Sequence, residues 1–334
     1  KIHLVVFLLV SYISVAQDLT VISGGSITIP KDSYVFVGGD FTNTAGTVTL
    51  HSDSDEFSSL LVSGTAIGNI TYNRYVNIVG TGEWDLIGAP VSGMAFSTLI
   101  QDPNIARNGD FYAVGSYNNY TDTWTNATAE TTGNLALGQG YQMATTSGGT
   151  LSFTGDIADG NRTVTITNND AANSGAGRRW NLIANPFASY LNGNSNADGT
   201  NNFLTVNTAA IDDNFEAIYG WKADGTGYAI YNNTSTAIYI APGQGFFVAA
   251  AGSGEGQTIT FTKAMQTVIG ADDFVALGPS VTSYELVLDM HSDAVKVADT
   301  KFYFKEGLTL GLDPGYDAGA YNQTSGLSSR FLEQ

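Results

Sequence analysis

Residues 178–187 read RRWNLIANPF, and residues 83–91, nearly a hundred positions earlier, read EWDLIGAPV. Both stretches place Trp, then Asp or Asn, then Leu-Ile, two small residues and Pro in the same order. Further landmarks follow each stretch in the same order. The separation between counterparts grows from 96 residues (84 to 180) to 105 (138 to 243) and 108 (153 to 261), which small loop insertions explain. The sequence therefore predicts a tandem duplication.

The landmarks that recur are an aromatic stretch, a Gly-Gln-Gly-aromatic motif and a strand-like run. They occupy residues 111–126, 137–144 and 151–157 in the first copy, and 218–233, 242–250 and 259–265 in the second. The Trp-Leu-Ile run is apolar on both faces, which predicts a central buried strand. Pro90 and Pro186 are expected to end that strand, because proline cannot donate to a ladder. The glycines of Gly-Gln-Gly permit a sharp turn or a close approach to a neighbouring backbone.

The composition favours short strands joined by turns. Glycine occurs 39 times, and only 13% of the residues are charged. Residues 18–76 alternate strictly, with apolar residues at period-2 positions and Gly-Gly pairs at short intervals. This pattern predicts an all-β fold that begins with a β-solenoid-like stack of short strands or a meander and continues with tandem β-sandwich-like modules.

The chain divides into five predicted segments. They are a signal peptide at 1–16, the short-strand β-solenoid-like region at 17–76, module copy 1 at 77–170, module copy 2 at 171–275 and an incomplete C-terminal module at 276–334. The last segment has two strong strand patterns at 284–290 and 300–307, and a complete sandwich needs several more.

The charge balance limits the classes of partner. Lys plus Arg number 13 and Asp plus Glu number 31, for a formal net charge of −18. Such a chain repels nucleic acid and anionic membrane surfaces. The absence of cysteine excludes thiolate zinc sites, cysteine nucleophiles and disulfides.

The first residues, KIHLVVFLLVSYISVAQ, are typical of a secretory signal peptide. A basic start precedes a short apolar run, and Ser14 and Ala16 supply the small residues that signal peptidase requires before Gln17. The sequence predicts a mature chain that begins at Gln17, is secreted or lies on the outer cell surface, and has no membrane span. Its partner during export would be the secretion machinery.

No catalytic constellation emerges from the sequence. The acidic pairs Asp212-Asp213, Asp272-Asp273 and Asp156/Asp159 lie in turn-rich stretches typical of solvated acids. A hydrolase with acids assembled from distant loops remains an alternative. A structural calcium ion is a second possibility, because NGNSNADG places Asn194, Asn196 and Asp198 at alternate positions; no other cofactor is indicated.

Aromatic side chains beside amides are the main candidates for ligand binding. The candidates occupy matching stretches of the two copies: Tyr117, Tyr120 and Trp124, then Trp221, Tyr228 and Tyr231. Aromatic rings with neighbouring Asn and Asp side chains suit stacking and hydrogen bonding to sugars. The alternative is that these residues are ordinary strand residues with polar turns between them.

Several stretches together resemble secreted and surface proteins of the Bacteroidetes. The stretches are WNLIANPFASYL (180–191), PGQGFFVAA (242–250), TKFYF (300–304), GLDPGYDAGAY (311–321) and SSRFLEQ (328–334). Those proteins are exported by the type IX secretion system and carry a C-terminal sorting domain, which this chain lacks. The resemblance implies export, β-rich adhesin-like modules and a chain cut before its natural end.

Two functions follow as expectations. The first is a non-catalytic structural or adhesion protein of a Gram-negative bacterium, with extracellular glycans or other surface proteins as partners. The second is a carbohydrate-binding accessory region of a secreted polysaccharide-degrading enzyme. The orientation of the aromatic rings at 115–126 and 220–233 discriminates between them.

Overall fold

The computed structural model describes residues 18–80, 84–170, 178–222, 227–252, 256–270, 272, 284–292 and 295–304. The described residues form many short β-strands, together with two helices, α1 (Phe96–Leu99) and α2 (Phe203–Asn207), and two 3-10 turns. The predicted all-β fold is confirmed.

The first eight strands build a stack of coils. They are β1 (Leu19–Val21), β2 (Ser26–Ile29), β3 (Tyr34–Val37), β4 (Phe41–Asn43), β5 (Thr47–His51), β6 (Ser59–Val62), β7 (Ala66–Ile67) and β8 (Asn69–Val76). Strand β1 pairs with β4 and β4 with β7, β2 pairs with β5 and β5 with β8, and β3 pairs with β6, all in parallel. These ladders are those of a solenoid-like stack, since a meander joins neighbouring strands in antiparallel pairs.

Alternation of the sequence decides which side chains enter the stack. Val21, Ile29, Val37, Val48 and Leu50 are buried, as their period-2 positions predict. They belong to one core that continues into copy 1 of the duplication. The stack and copy 1 are therefore packed as one body.

Copy 1 contains a four-stranded sheet in the order β14-β13-β15-β9. Its strands are β9 (Asp85–Ile87), β10 (Val91–Ser92), β11 (Arg107–Asn108), β12 (Phe111–Tyr112), β13 (Val114–Asn118), β14 (Thr123–Asn126), β15 (Tyr141–Met143) and β16 (Gly149–Ile157), with α1 between β10 and β11.

Copy 2 repeats this sheet in the order β21-β20-β23-β18. Its strands are β17 (Arg162–Thr167), β18 (Trp180–Ala184), β19 (Tyr190–Asn192), β20 (Ile218–Trp221), β21 (Tyr228–Tyr231), β22 (Tyr239–Ile240), β23 (Gly245–Ala249), β24 (Gly256–Phe261) and β25 (Gln266–Thr267), with α2 between β19 and β20.

The two tryptophans that mark the duplication have matching surroundings. Trp84 packs against Ala113 and Ala144. Trp180 pairs with Ala249 and belongs to the same cluster as Ala217. The four alanines are counterparts in the two sheets, so the duplication seen in the sequence is present in the fold.

The strand before each tryptophan also belongs to the repeated unit. Strand β8 pairs with β16 along its whole length, and β17 pairs with β24 in the same antiparallel manner. The ladder of β8 and β16 therefore crosses the predicted boundary between residues 76 and 77, and the ladder of β17 and β24 crosses the one between residues 170 and 171. Strand β8 is shared between the stack and copy 1, because its other edge pairs with β5.

Each Gly-Gln-Gly turn lies against the Trp-Leu-Ile strand of the other copy. The Gly88 N–H donates to the Gly243 carbonyl at 2.8 Å, and the Ala184 N–H donates to the Gly138 carbonyl at 2.8 Å. Gly88 is the counterpart of Ala184, and Gly243 is the counterpart of Gly138, so the two bonds are equivalent. The copies are thus joined by a reciprocal contact, which we call the interlock.

The interlock corrects the predicted position of the Trp-Leu-Ile strands. Strands β9 and β18 are edge strands of their sheets and not central strands. Most of β18 is buried, whereas only Ile87 of β9 is. The turn of the other copy covers the open edge of each strand, which would otherwise expose unpaired backbone groups. The predicted conformational role of the glycines is confirmed, since Gly138 and Gly243 have φ angles of 81° and 68°.

A two-stranded antiparallel ribbon follows the duplication. It comprises β26 (Tyr284–Ser292) and β27 (Val295–Phe304), with a register shift between Met290 and His291. The strand predicted at 284–290 is confirmed as β26. The strand predicted at 300–307 begins earlier, at Val295, and residues 305–307 lie outside the described residues. The remainder of the expected incomplete module at 276–334 lies outside the described residues.

Candidate functional site

The candidate aromatic residues form two equivalent cross-strand pairs. Tyr117 lies opposite Trp124 on β13 and β14, with 5.2 Å between ring centroids. Trp221 lies opposite Tyr228 on β20 and β21, with 5.0 Å between ring centroids. The positions match, but tyrosine and tryptophan have exchanged strands between the copies.

Both pairs meet at Phe247 of β23. The ring of Phe247 lies 5.1 Å from Tyr117 and 5.7 Å from Tyr228, in edge-to-face geometry. Phe247 itself is fully buried. Edge-to-face packing uses the ring faces for contacts within the protein. Four of the six candidate residues are therefore brought together, largely as an extension of the core.

Two candidates present more surface to solvent. Trp124 is 38% exposed and Tyr120 is 50% exposed. They lie on the hairpin of β13 and β14, whose turn is held by Asn118 Oδ1 accepting from the Tyr120 N–H at 2.9 Å. The sixth candidate, Tyr231, is half-buried against the core of copy 2.

Asn119 anchors this hairpin to copy 2. Its Nδ2 donates to the Thr167 carbonyl at 2.8 Å and to Asn181 Oδ1 at 3.2 Å. Asn181 in turn accepts from the Thr167 N–H. The sequence did not single out Asn119, because nothing local distinguishes it from the other asparagines of the chain.

A cavity of about 80 Å³ lies beneath the hairpin, between the two copies. Copy 1 contributes Tyr117, Asn119 and Gln139 to its wall, and copy 2 contributes Val164 and Asn181 among others. Pockets for sugars and similar ligands enclose roughly 300–1,000 Å³. The cavity can therefore hold a group of a few heavy atoms and cannot enclose a sugar ring.

The predicted calcium ligands serve a different purpose. The Asn194 amide is fully buried, donates to the Asn232 and Thr236 carbonyls at 2.9 Å each, and accepts from the Ile238 N–H at 3.1 Å. Asn196 likewise donates to a carbonyl of the same loop, at 2.7 Å.

Asp198 closes a turn by accepting from the Thr200 and Asn201 N–H groups at 2.9 and 2.8 Å, which lower the pKa of its carboxyl. These bonds explain the Asn-rich spacing as loop closure. Among the described residues, no group of three or more His, Cys, Asp or Glu side chains is placed to hold a metal ion.

The candidate acids are held in ion pairs or turns. Asp159 pairs with Lys263 at 2.7 Å, and Asp212 pairs with Arg179 at 2.6 Å. Asp213 is exposed beside Asp212, and Asp273 lies outside the described residues. Burial raises the pKa of the Asp159 carboxyl, but hydrogen bonds from Lys263 and from backbone N–H groups outweigh it and lower the pKa below its usual value, which does not suit a proton donor.

A family model described as a domain of unknown function, DUF8693, matches residues 6–331. The chain belongs to the DUF8693 family. No curated protein and no solved structure matches it. The family match spans the stack, both copies and the C-terminal ribbon, so these parts recur together as one unit of sequence.

No helix among the described residues of this DUF8693 chain has the length and apolar character needed to cross a bilayer.

Glu216 of this DUF8693 protein is a buried acid outside the predicted candidates. It is 1% exposed, and its Oε2 has no hydrogen-bond partner among the described residues. Burial raises the pKa of this carboxyl, and the nearby Asp213 adds to the effect, while a hydrogen bond from Thr208 opposes it.

We expect Glu216→Gln to flatten the dependence of stability on pH. Because the folded pKa exceeds the unfolded value, the folded state holds the proton more tightly, and stability falls as pH rises through the folded pKa. The variant should therefore be more stable than wild type at pH 7 and nearly equal to it at pH 4, measured by urea unfolding. A variant less stable at both pH values would contradict this expectation.

Proposed function

We propose that this DUF8693 protein is a non-catalytic structural or adhesion module that acts outside the cell or on the cell surface. The observation that supports the proposal is the interlock. Two sheets close each other's edges by equivalent hydrogen bonds. A separate sheet, β10-β16-β8-β5-β2, joins copy 1 to the stack through β8. A chain without cysteine is thus held together by a ladder shared between the stack and copy 1 and by the hydrogen bonds of the interlock.

Export from a Gram-negative bacterium of the Bacteroidetes through the type IX system is part of the proposal, based on the resemblance of the sequence. Residues 1–16 would be the signal peptide, and other surface proteins or glycans would be the partners. The acidic surface suits a protein that must stay soluble outside the cell.

The export step predicts a defined mature terminus. The full chain, expressed with an initiating methionine in a Bacteroidetes host, should appear outside the inner membrane with Gln17 as its first residue, as read by mass spectrometry of the N-terminal peptide. Ala16→Arg should leave the precursor uncut, because signal peptidase requires a small residue there. Recovery of the chain from the cytosol with Lys1 retained would overturn the export proposal.

Carbohydrate binding is the second candidate function, and the exposed Tyr120 and Trp124 favour it. The same hairpin carries Asn118, which accepts from the Tyr120 N–H, and Asp122, which accepts from the Tyr117 hydroxyl. Trp124→Ala should weaken binding about fivefold, since a single stacking contact contributes on the order of 1 kcal/mol.

The test is a glycan array probed with the full chain, followed by titration of any hit. Phe111→Ala is the matched control, because Phe111 is 56% exposed on a different hairpin. Equal losses in Trp124→Ala and Phe111→Ala, or no binding to any glycan, would remove the sugar site and leave the structural proposal ahead.

A further inference from the structure

Arg74 is a buried cation at the junction of the stack with both copies. It is 1% exposed, and its guanidinium lies 4.1 Å from the centre of the Phe57 ring. Its Nε donates to the Pro242 carbonyl at 3.0 Å, and one terminal nitrogen donates to the Tyr75 carbonyl at 2.9 Å. Pro242 immediately precedes the Gly-Gln-Gly turn of copy 2, so Arg74 reaches across the interlock.

Val164 is the counterpart of Arg74 in copy 2. Arg74 pairs with Leu151 in the ladder of β8 and β16, and Val164 pairs with Ile259 in the ladder of β17 and β24. Leu151 and Ile259 occupy the same position, two residues before the counterpart phenylalanines of the two copies.

Val164 also lies against the Gly-Gln-Gly turn of the other copy. Its Cγ2 is 2.5 Å from the position that a Cβ at Gly138 would occupy, and Gly138 begins the turn of copy 1.

The side chain of Val164 is shorter than that of Arg74. Val164 lies in the wall of the cavity of about 80 Å³ described above. One copy of the duplicated unit therefore holds a guanidinium at the interlock, and the other copy holds a cavity. A guanidinium is planar and has four heavy atoms, a size that suits this space.

The wall of the cavity offers a guanidinium an aromatic ring and a hydrogen-bond acceptor. Tyr117 supplies an aromatic ring, as Phe57 does for Arg74. Gln139 donates through Nε2 to the Leu182 carbonyl at 2.8 Å, and no described residue donates to its Oε1, which leaves an acceptor for a guanidinium N–H. The net charge of −18 draws cations to the protein. Thr165, also in the wall, is exposed, so the cavity is reached from solvent.

We propose that this cavity is a binding site for a guanidinium group, supplied by a small molecule or by an arginine side chain of a partner protein. The proposal does not depend on the export or sugar-binding proposals.

The test uses the ¹⁵N-labelled full chain and follows the side-chain amide signals of Gln139 and Asn119 by NMR. Methylguanidinium at millimolar concentration should shift these signals saturably, and acetamide, of similar size and uncharged, should not. Val164→Arg should abolish the shift, because it places an internal guanidinium in the cavity. Absence of a saturable shift would overturn the proposal and indicate a cavity that holds water only. An equal response to acetamide would overturn it by showing that the cavity does not select a guanidinium.

Thermal unfolding supplies the second readout. Val164→Arg should have a higher midpoint than Val164→Met, since both fill the cavity and only arginine can donate to its acceptors. A lower midpoint for Val164→Arg would count against the site.

A capped Gly-Arg-Gly peptide identifies the source of the guanidinium group. Binding at least tenfold tighter than that of methylguanidinium indicates an arginine of a partner protein, and equal binding indicates a small molecule.

Discussion

Replacing Arg74 with alanine should lower the free energy of unfolding by about 3–5 kcal/mol. The substitution removes the donor from the Pro242 and Tyr75 carbonyls, at a cost of about 1–3 kcal/mol for a buried acceptor, and it opens a cavity beside Phe57 that adds to the loss. Because Arg74 touches the stack and both copies, the loss should weaken all three parts together.

Urea unfolding monitored by tryptophan fluorescence and circular dichroism measures this effect. Arg74→Met fills most of the space without the hydrogen bonds and should be less damaging than alanine. Arg107→Ala is the matched control, because Arg107 also lies over an aromatic ring, that of Tyr112, but its side chain is 53% exposed. A change below 1 kcal/mol in Arg74→Ala would show that the junction does not depend on this side chain.

A side chain at Gly88 or Gly245 should force the interlock open. A Cβ at Gly88 would overlap the Ala184 side chain and lie 2.7 Å from the Gln139 carbonyl oxygen. A Cβ at Gly245 would lie 2.7 Å from the Leu86 carbonyl carbon. Since backbone atoms form both obstacles, Gly88→Ala and Gly245→Ala should each cost about 2–4 kcal/mol through overpacking and loss of hydrogen bonds.

The control for the glycine variants is Gly199→Ala. A Cβ there meets nothing within 4 Å, and the expected change is slight or stabilising. The double variant Gly88→Ala/Gly245→Ala tests the reciprocity of the interlock. Once one substitution has separated the copies, the second should cost less than it does alone. Strictly additive losses would indicate two independent contacts and contradict the reciprocal arrangement.

The sequence predicted the repeated unit because its landmarks are local. Trp84 and Trp180 stand in runs whose spacing survives small insertions, and their alanine partners occupy matching places in the sheets. The alternation of apolar and polar residues predicted either a stack of short strands or a meander. Alternation reports which side chains face inward, and both arrangements satisfy it.

Ligand binding by the matching aromatic stretches stays a prediction. The structure brings Tyr117 and Tyr228 together through Phe247. That they meet edge-to-face on a buried ring could not be read from the sequence. The asparagines at 194 and 196 suggested calcium because amide oxygens are possible ligands, but their donors are committed to carbonyls of a loop forty residues away.

Composition and short-range pattern were enough to establish an all-β chain, its duplication and the glycines that let it turn, because these properties depend on residues close together along the chain. The edge position of β9 and β18, the junction around Arg74 and the cavity beside Val164 emerged only in three dimensions. Each depends on which distant segment covers an exposed edge. The covering segment is determined by contacts between residues as far apart in sequence as Arg74 and Pro242. A local sequence pattern contains no information about such contacts.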